Sequence, residues 1–502
     1  MKKAMILLLA MLLTFTLSGS AAPAAERAEN KSGIFTYLLL EDGTAEITSY
    51  MAKFVSDIPD SLDGRIVTSI GEYVFAGAGF AETELVLPDT ITNIGEGAFA
   101  SCEKITALRI PDSVASIGNG AFFNCPSLRE ATLGTGIREI SANPFQGCDV
   151  LSQINVSPDH PYLSVNGGVL FSKPDARLVC YPLTLGASAY AVPDGTGSIG
   201  KYAFSHNKGL ESLTIPDSVT AIGDEAFVYC AGLADVAIGL GVNHIGANPF
   251  VGCDALTEIN FSPDHPCLET VDGVLFSKTE RRLVYCPAAL AATAYAVPGG
   301  VLHIGGWAFA NCLNLTSLSL PKGITSIGEW AFEGCSGLSS VNIPEGVLSI
   351  GEAAFYGCTG LTGITLPDSL SEIASATFDG CSSLARVALP NKLTGIGHQA
   401  FAGCPSLTSL TIPDSVTSIG HIAFSGCTNL TGIILPNNLV SIGESAFFNC
   451  SSLTDLTIPD SVTEIGWNAF RDCDQLTLTV SKDSYAMNYA KKNEIPFMLR
   501  GE

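Results

Sequence analysis

The sequence predicts a solenoid: stacked 23-residue coils with short parallel strands, mostly β and coil, interrupted by two β-hairpin insertions. Three observations predict it. A motif, Ile-Gly-x-x-Ala-Phe, recurs along most of the chain at nearly constant spacing. The apolar residues between its copies are too few for one coil to form a core alone. The 51 glycines and 26 prolines fall largely at fixed places in the period, where they act as turn punctuation.

The isoleucines of the motif are Ile70, Ile94, Ile117, Ile140, Ile199, Ile222, Ile245, Ile304, Ile327, Ile350, Ile373, Ile396, Ile419, Ile442 and Ile465. These imply fifteen coils. One unit runs from Cys404 to Gly426. Leu407, Leu410 and Ile412 predict a short strand that Pro413 ends, because proline has no amide for a ladder. Asp414-Ser415 turns the chain, and Val416 and Ile419 give a second inward edge. Gly420 permits a close turn, and Ala423-Phe424 packs a small and a large side chain into the next corner. At about 4.8 Å per coil, fifteen coils span roughly 70 Å.

A longer repeat lies over the short one. Residues 94–140 return at 199–245 with a shift of 105. Val169-Leu170-Phe171 likewise returns as Val274-Leu275-Phe276. The extra residues, about 157–192 and 262–297, read as hairpins around Asn166-Gly167 and Asp272-Gly273. Their second strands are expected at Leu178–Tyr181 and Leu283–Cys286. Both hairpins are expected to leave the stack on one side as its most individual surface.

The two ends differ from the coils. Lys2 and Lys3 precede the apolar run Ala4–Leu13 and a small-residue stretch, so residues 1–25 read as a bacterial export signal. Cleavage near Ala22 shifts the net charge from -24 to -26. The run is short for a membrane span, so the mature chain is expected to have none. Residues 26–69 are expected to cap the first coil with a hairpin, Thr36–Leu40 and Ala45–Tyr50. Coils occupy 70–475, and 476–502 close the stack with a strand and a helix at Ser484–Asn493. Tyr485 and Tyr489 are expected to face the stack.

Composition narrows the function. Acids outnumber bases 49 to 25, which argues against binding nucleic acid. A hydrophobic fraction of 47% excludes a disordered acidic chain. Sixteen cysteines in 502 residues are too few for a disulfide scaffold.

The unit Cys-x-x-Leu-x-x-Leu-x-Ile-Pro-x-x-Val-x-x-Ile-Gly-x-x-Ala-Phe resembles the leucine-rich repeat of BspA-like and treponemal-type surface proteins. The match covers Ile70 to Asp474. The resemblance implies a secreted or cell-surface protein acting as a non-catalytic, adhesin-like module, with no cofactor. Its partner would be a protein or glycan at a cell surface or in extracellular matrix. A structural envelope-associated protein is the alternative, and an extracellular hydrolase a distant one. No phosphate loop, nucleophile elbow or His-Glu-x-x-His is present to assign to catalysis.

Candidate sites are few. Cys335, Cys358, Cys381, Cys404 and Cys427 share one repeat position, as do Phe332, Phe355, Phe378, Phe401 and Phe424. Both sets are expected as structural ladders, since a zinc site needs convergent ligands and a ladder separates them. Cys267 with Cys286 is the best candidate for a disulfide. His160 and His265 begin the insertions and are candidate ligand contacts, with a turn as the simpler reading. His398 and His421 fall at one position in adjacent coils, as a surface ladder or a weak two-histidine site. Acids after the strand-ending proline, such as Asp112 and Asp217, read as solubility features more than calcium ligands. The strand face, for example Thr408, Ser409 and Thr411 or Thr454, Asp455 and Thr457, is small and mostly uncharged. Trp307, Trp330 and Tyr356 near the Ala-Phe corner are better anchors for a protein or a sugar.

Overall fold

The computed structural model describes residues 29–52, 54–288 and 290–501. The predicted export signal lies outside the described residues. The coils form two parallel ladders. One joins the leucine strands, as in Ser409–Thr411 beside Gly432–Ile434. The other joins two-residue isoleucine strands, with Ile396, Ile419 and Ile442 in register. Between them each coil adds a phenylalanine to a stacked column. Phe332, Phe355, Phe378, Phe401 and Phe424 are fully buried, with successive ring centroids 5.0–5.5 Å apart. This is the solenoid the period predicts, with 23-residue coils.

The glycine after each ladder isoleucine is required by a close approach. A Cβ on Gly420 would lie 2.6 Å from the backbone carbon of Gly397 in the coil before. One on Gly443 would lie 2.5 Å from that of Gly420. The approach lets the Gly420 amide donate to Ile396 O at 2.8 Å and the Gly443 amide to Ile419 O at 2.9 Å. Two of the fifteen coils depart from glycine here. Ser141 donates to Ile117 O at a longer 3.1 Å. At Ala374 the ladder parts: it runs through Ser349–Ile350, stops, and restarts at Glu372–Ile373. The alanine methyl group fills the space through which adjacent coils otherwise touch.

The insertions correct the expectation of protruding hairpins. Each is a three-stranded antiparallel meander: Leu163–Asn166, Val169–Ser172 and Arg177–Cys180, then Leu268–Val271, Val274–Ser277 and Arg282–Tyr285. The third strand joins the isoleucine ladder, with Leu178 beside Ile199 and Leu283 beside Ile304. Two leucines thus extend the ladder beyond the fifteen isoleucines. The meanders cross the stack and divide its core. Leu170, Val179 and Cys180 pack against the first segment of coils. Val169, Leu178 and Tyr181 pack against the second. The second meander repeats the division with Val284 and Tyr285 on one side and Leu283 and Cys286 on the other. Cys180-Tyr181 in one partition becomes Tyr285-Cys286 in the other, so the large ring changes sides. Tyr181 stacks on Phe204, whereas Tyr285 packs back on Phe250.

The ladder is interrupted before each meander, and an arginine bridges the break. The Arg177 guanidinium donates to Ile140 O at 2.6 Å and Ser141 O at 2.7 Å. Arg282 donates in the same way to Ile245 O and, at 3.5 Å, to Gly246 O. The Ile140 and Ile245 carbonyls, which the next coil would have satisfied, receive charge-assisted bonds instead.

The ends are closed by strands and one helix. Ala45–Tyr50 pairs with Phe35–Leu39 and, on its other edge, with Arg65–Ile70. At the far end Thr477–Val480 pairs with Asp455–Thr457 and with Phe497–Leu499, a strand not anticipated. The helix Tyr485–Lys492 is capped by the Ser484 side chain. It buries Ala486, Met487 and Ala490, while Tyr489 packs partly against the core. Tyr485 is exposed, contrary to expectation.

Two outcomes follow from the coil contacts. Gly420→Ala should lower stability by about 1–3 kcal/mol, the usual range for overpacking, whereas Ala374→Gly should raise it. Denaturant midpoints, with hydrogen exchange at residue 374, check both. Arg282→Met should cost about 2 kcal/mol by leaving ladder carbonyls without donors, read from the same midpoint.

Candidate functional site

The Ala-Phe corner places the aromatic candidates. The third residue after the ladder isoleucine adopts a left-handed conformation there, with φ of 58° at Trp307 and 55° at Trp330. The same geometry recurs in fourteen of the fifteen coils, Asn143 being the exception, so side chains at this position fall in file. Trp307 and Trp330 stack at 5.0 Å and 15°. Tyr356, from another corner position, lies 5.3 Å from Trp330 at a 52° tilt. Trp307, like Tyr202, also packs against a small cluster of Val228, Val251 and Ala310. All three rings are half-buried. One face of each indole is covered by the other.

Near Tyr356, burial and then the charges of Asp379 and Glu333 raise the phenol. Glu329 is exposed, and Glu333, Glu352 and Asp379 are half-buried. Burial raises the Glu333 carboxyl, opposed by a hydrogen bond from Asn311. Burial and the neighbouring Glu329 raise Glu352. Burial pushes Asp379 up to about 6. None of the ion pairs found among the described residues includes these four acids.

The cysteines are buried and unbridged, including Cys286, while Cys267 is half-buried and also free. The disulfide considered between Cys267 and Cys286 is therefore absent. Each ladder thiol donates to a phenylalanine carbonyl of the preceding coil. Cys335 reaches Phe309 O at 3.0 Å, Cys358 reaches Phe332 O at 3.1 Å, and Cys381 reaches Phe355 O at 3.1 Å. Cys404 and Cys427 reach Phe378 O and Phe401 O at 3.2 Å. Burial pushes the Cys358 and Cys427 thiols up to about 12, so they are held as thiols.

His160 and His265 are not ligand contacts: both are fully buried. The Nδ1 of His160 accepts from the Tyr162 and Leu163 amides at 3.1 and 3.0 Å, and Nε2 meets Gly134 O at 3.0 Å. His265 repeats the pattern with Cys267, Leu268 and Gly239. Each histidine ties an insertion to the coil before it. Burial depresses both imidazoles. This role was hidden because its partners are backbone atoms, which carry no sequence signal.

Of the remaining candidates, His398 and His421 stack at 4.9 Å and 6°. Among the described residues, no group of three or more His, Cys, Asp or Glu is placed to hold a metal ion. Asp112 and Asp217 accept from the Thr135 and Leu240 amides of the next coil at 2.6 and 2.7 Å, which gives these acids a structural use. The strand-face hydroxyls also run from coil to coil, as from Thr431 Oγ1 to Thr408 O at 3.1 Å. No described helix is long and apolar enough to cross a membrane.

The repeat and its closed ends define a leucine-rich repeat solenoid. A family model for the BspA type leucine rich repeat region matches residues 65–166, 184–293, 302–431 and 394–487. The chain belongs to this family. It is similar to a leucine-rich cell surface protein from Faecalibacterium prausnitzii, with 27% identity, 82% of this chain and 96% of that chain covered, and a TM-score of 0.42. It is also similar to a leucine-rich repeat protein from Bacteroides ovatus, at 25% identity, 92% and 100% coverage, and a TM-score of 0.37. For one from Eubacterium ventriosum the values are 22%, 88% and 94%, and 0.41. No curated protein matches the chain.

Asp379 supplies a pH test. Its folded value of about 6 exceeds the ordinary 3.8, so ionisation opposes folding. That penalty is absent below the ordinary value and grows as pH rises through the folded one. Asp379→Asn should therefore stabilise the protein at pH 7 more than at pH 4, seen as a larger shift in denaturant midpoint at neutral pH.

Proposed function

We propose that this chain is an exported, adhesin-like binding module that acts by holding a protein partner and performs no catalysis. The observation that carries the reading is the aromatic strip of Trp307, Trp330 and Tyr356 on the corner of the stack. Aromatic side chains supply contact area at low conformational cost, and tryptophan and tyrosine are enriched among residues that dominate interface energies. The strip stands on closely packed coils, so its shape exists before a partner arrives, which lowers the entropic cost of association. The leader-like residues 1–25 support an address outside the cell. The strand face supports a lesser role in binding. Many of its exposed residues are small, Val86 and Ile434 being exceptions, and serine and threonine hydroxyls on it are engaged in coil-to-coil bonds.

The insertions enter this reading as bracing. Deleting 157–192 or 262–297 would remove partitions that two core segments share, so loss of binding in such deletions would report unfolding. Substitution in the strip is the cleaner test. The mature protein should retain a defined protein from extracellular matrix or cell-surface extract at micromolar concentration. Trp307→Ala with Trp330→Ala should weaken retention at least roughly tenfold, the scale of a hot-spot loss, with the circular dichroism spectrum unchanged. Retention of no protein by the unmodified chain would defeat the reading.

A further inference from the structure

Each insertion opens on a histidine whose ring nitrogens are all committed. Pro161 and Pro266 carry no amide, so the next donors of each turn are Tyr162 and Leu163, then Cys267 and Leu268. Nδ1 of each imidazole accepts from both amides of its turn, at 3.0–3.2 Å. Nε2 meets the carbonyl of Gly134 or Gly239, so it carries the ring proton. The neutral tautomer with Nε2–H is the one form that satisfies every partner. A second proton has only Nδ1 to occupy, where two amide donors already point. Both rings are fully buried.

An ordinary coil of the same chain builds this turn without a titratable group. Asn207 Oδ1 accepts from the Gly209 and Leu210 amides, both at 3.2 Å. The spacing is the same: an acceptor, then amides two and three residues on, the second belonging to a buried leucine. The Asn207 amide group does not titrate. At 160 and 265 the same socket is filled by a group that loses its acceptor on taking a proton. The histidine recurs in both insertions although the second position after it changes from Tyr162 to Cys267.

The surrounding charges give a buried imidazolium little help. The Lys173 ammonium donates to the His160 carbonyl at 2.6 Å, and Lys278 donates likewise to that of His265. Both lysines oppose a positive ring. Asp112 and Asp217 attract one, but they are exposed and already accept from the Thr135 and Leu240 amides. Asp159 and Asp264, which precede the histidines, are exposed. In the second insertion the Phe261 ring lies 5.4 Å from His265, edge on. We propose that His160 and His265 are acid-released fasteners: a proton on Nδ1 evicts each ring from its two-amide socket and frees the start of its meander. Leu163 and Leu268 end the sockets and belong to the first and second core segments, so the stack loosens at its two partitions. The device is independent of the protein-binding reading.

Burial holds both rings below the ordinary imidazole value of 6.5. The contribution of the neutral ring is therefore complete above that value and is lost as pH falls from it toward the folded one. Hydrogen exchange on the mature chain between about pH 7 and about pH 5, corrected for intrinsic rates, reads this loss. Protection at the Tyr162, Leu163, Cys267 and Leu268 amides should fall by up to roughly tenfold per pH unit below the ordinary value. The Gly209 and Leu210 amides, held by Asn207, should keep their protection, as should Gly420 in a distant coil. His160→Asn should make the first socket insensitive to pH while the second still responds, and His265→Asn should do the converse.

Protection at the four socket amides that stays flat over this range would overturn the proposal. A parallel loss at Gly209 and Leu210 would overturn it as well, because acid would then be loosening the stack as a whole. A pH response that persists in a socket carrying asparagine would assign the proton to another group and reject the histidine. The unmodified chain decides the first two outcomes by itself, so a variant that fails to fold leaves the test intact.

Discussion

Contact between backbones of successive coils, at the residue after each ladder isoleucine, governs this structure. A side chain there would overlap the coil before, as Gly420 and Gly443 show. The close approach sets the rise per coil, and that rise stacks Phe401 on Phe424 and brings Cys427 to the carbonyl of Phe401. Where the glycine is absent the consequence is local. Ser141 accommodates with a longer bond, and the ladder parts at Ala374. The phenylalanine column continues across that point, with Phe355 and Phe378 stacked at 5.5 Å. Core and ladder are therefore separable supports, as expected of a stack in which each unit answers only to its neighbours.

Repetition also explains how a surface site arises on such a scaffold. A corner position that turns the same way in fourteen of the fifteen coils presents its side chains in file. Most coils place small or polar residues there, such as Ala353, Gln399 and Ser445. Two consecutive coils place tryptophan, and a strip results without any change of backbone. The same logic gives the stacked His398 and His421 pair. A partner surface on this fold is written by substitution at fixed positions, while the glycine, phenylalanine and cysteine columns maintain the frame.

The coils were legible in the sequence because each apolar position recurs with a mechanical cause. Pro413 ends a strand, Gly420 admits a neighbour, and Phe424 fills a core column. The meanders were only half legible. Val169-Leu170-Phe171 reads as a strand, but its apolar continuity also indicates burial on both faces, a signal that hairpin alternation obscured. Leu178 and Leu283 escaped recognition as ladder residues because no Gly-x-x-Ala-Phe follows them. In the candidate site, the adjacency of Trp307 and Trp330 followed from the period. The flanking Glu333 and Asp379 did not, since they occupy a variable corner position whose proximity to the rings depends on the turn.

The sequence alone determined the coil, its period, its columns and the excess of acid over base. These are properties of each unit and its immediate neighbour, so spacing along the chain is enough to read them. Tertiary structure alone decided which faces the meanders bury, how Arg177 and Arg282 close the interrupted ladder, and why His160 and His265 are buried. It also brought Glu333 and Asp379, from separate coils, within reach of Tyr356. Those outcomes depend on contacts with backbone atoms or across breaks in the period, where spacing no longer maps onto distance.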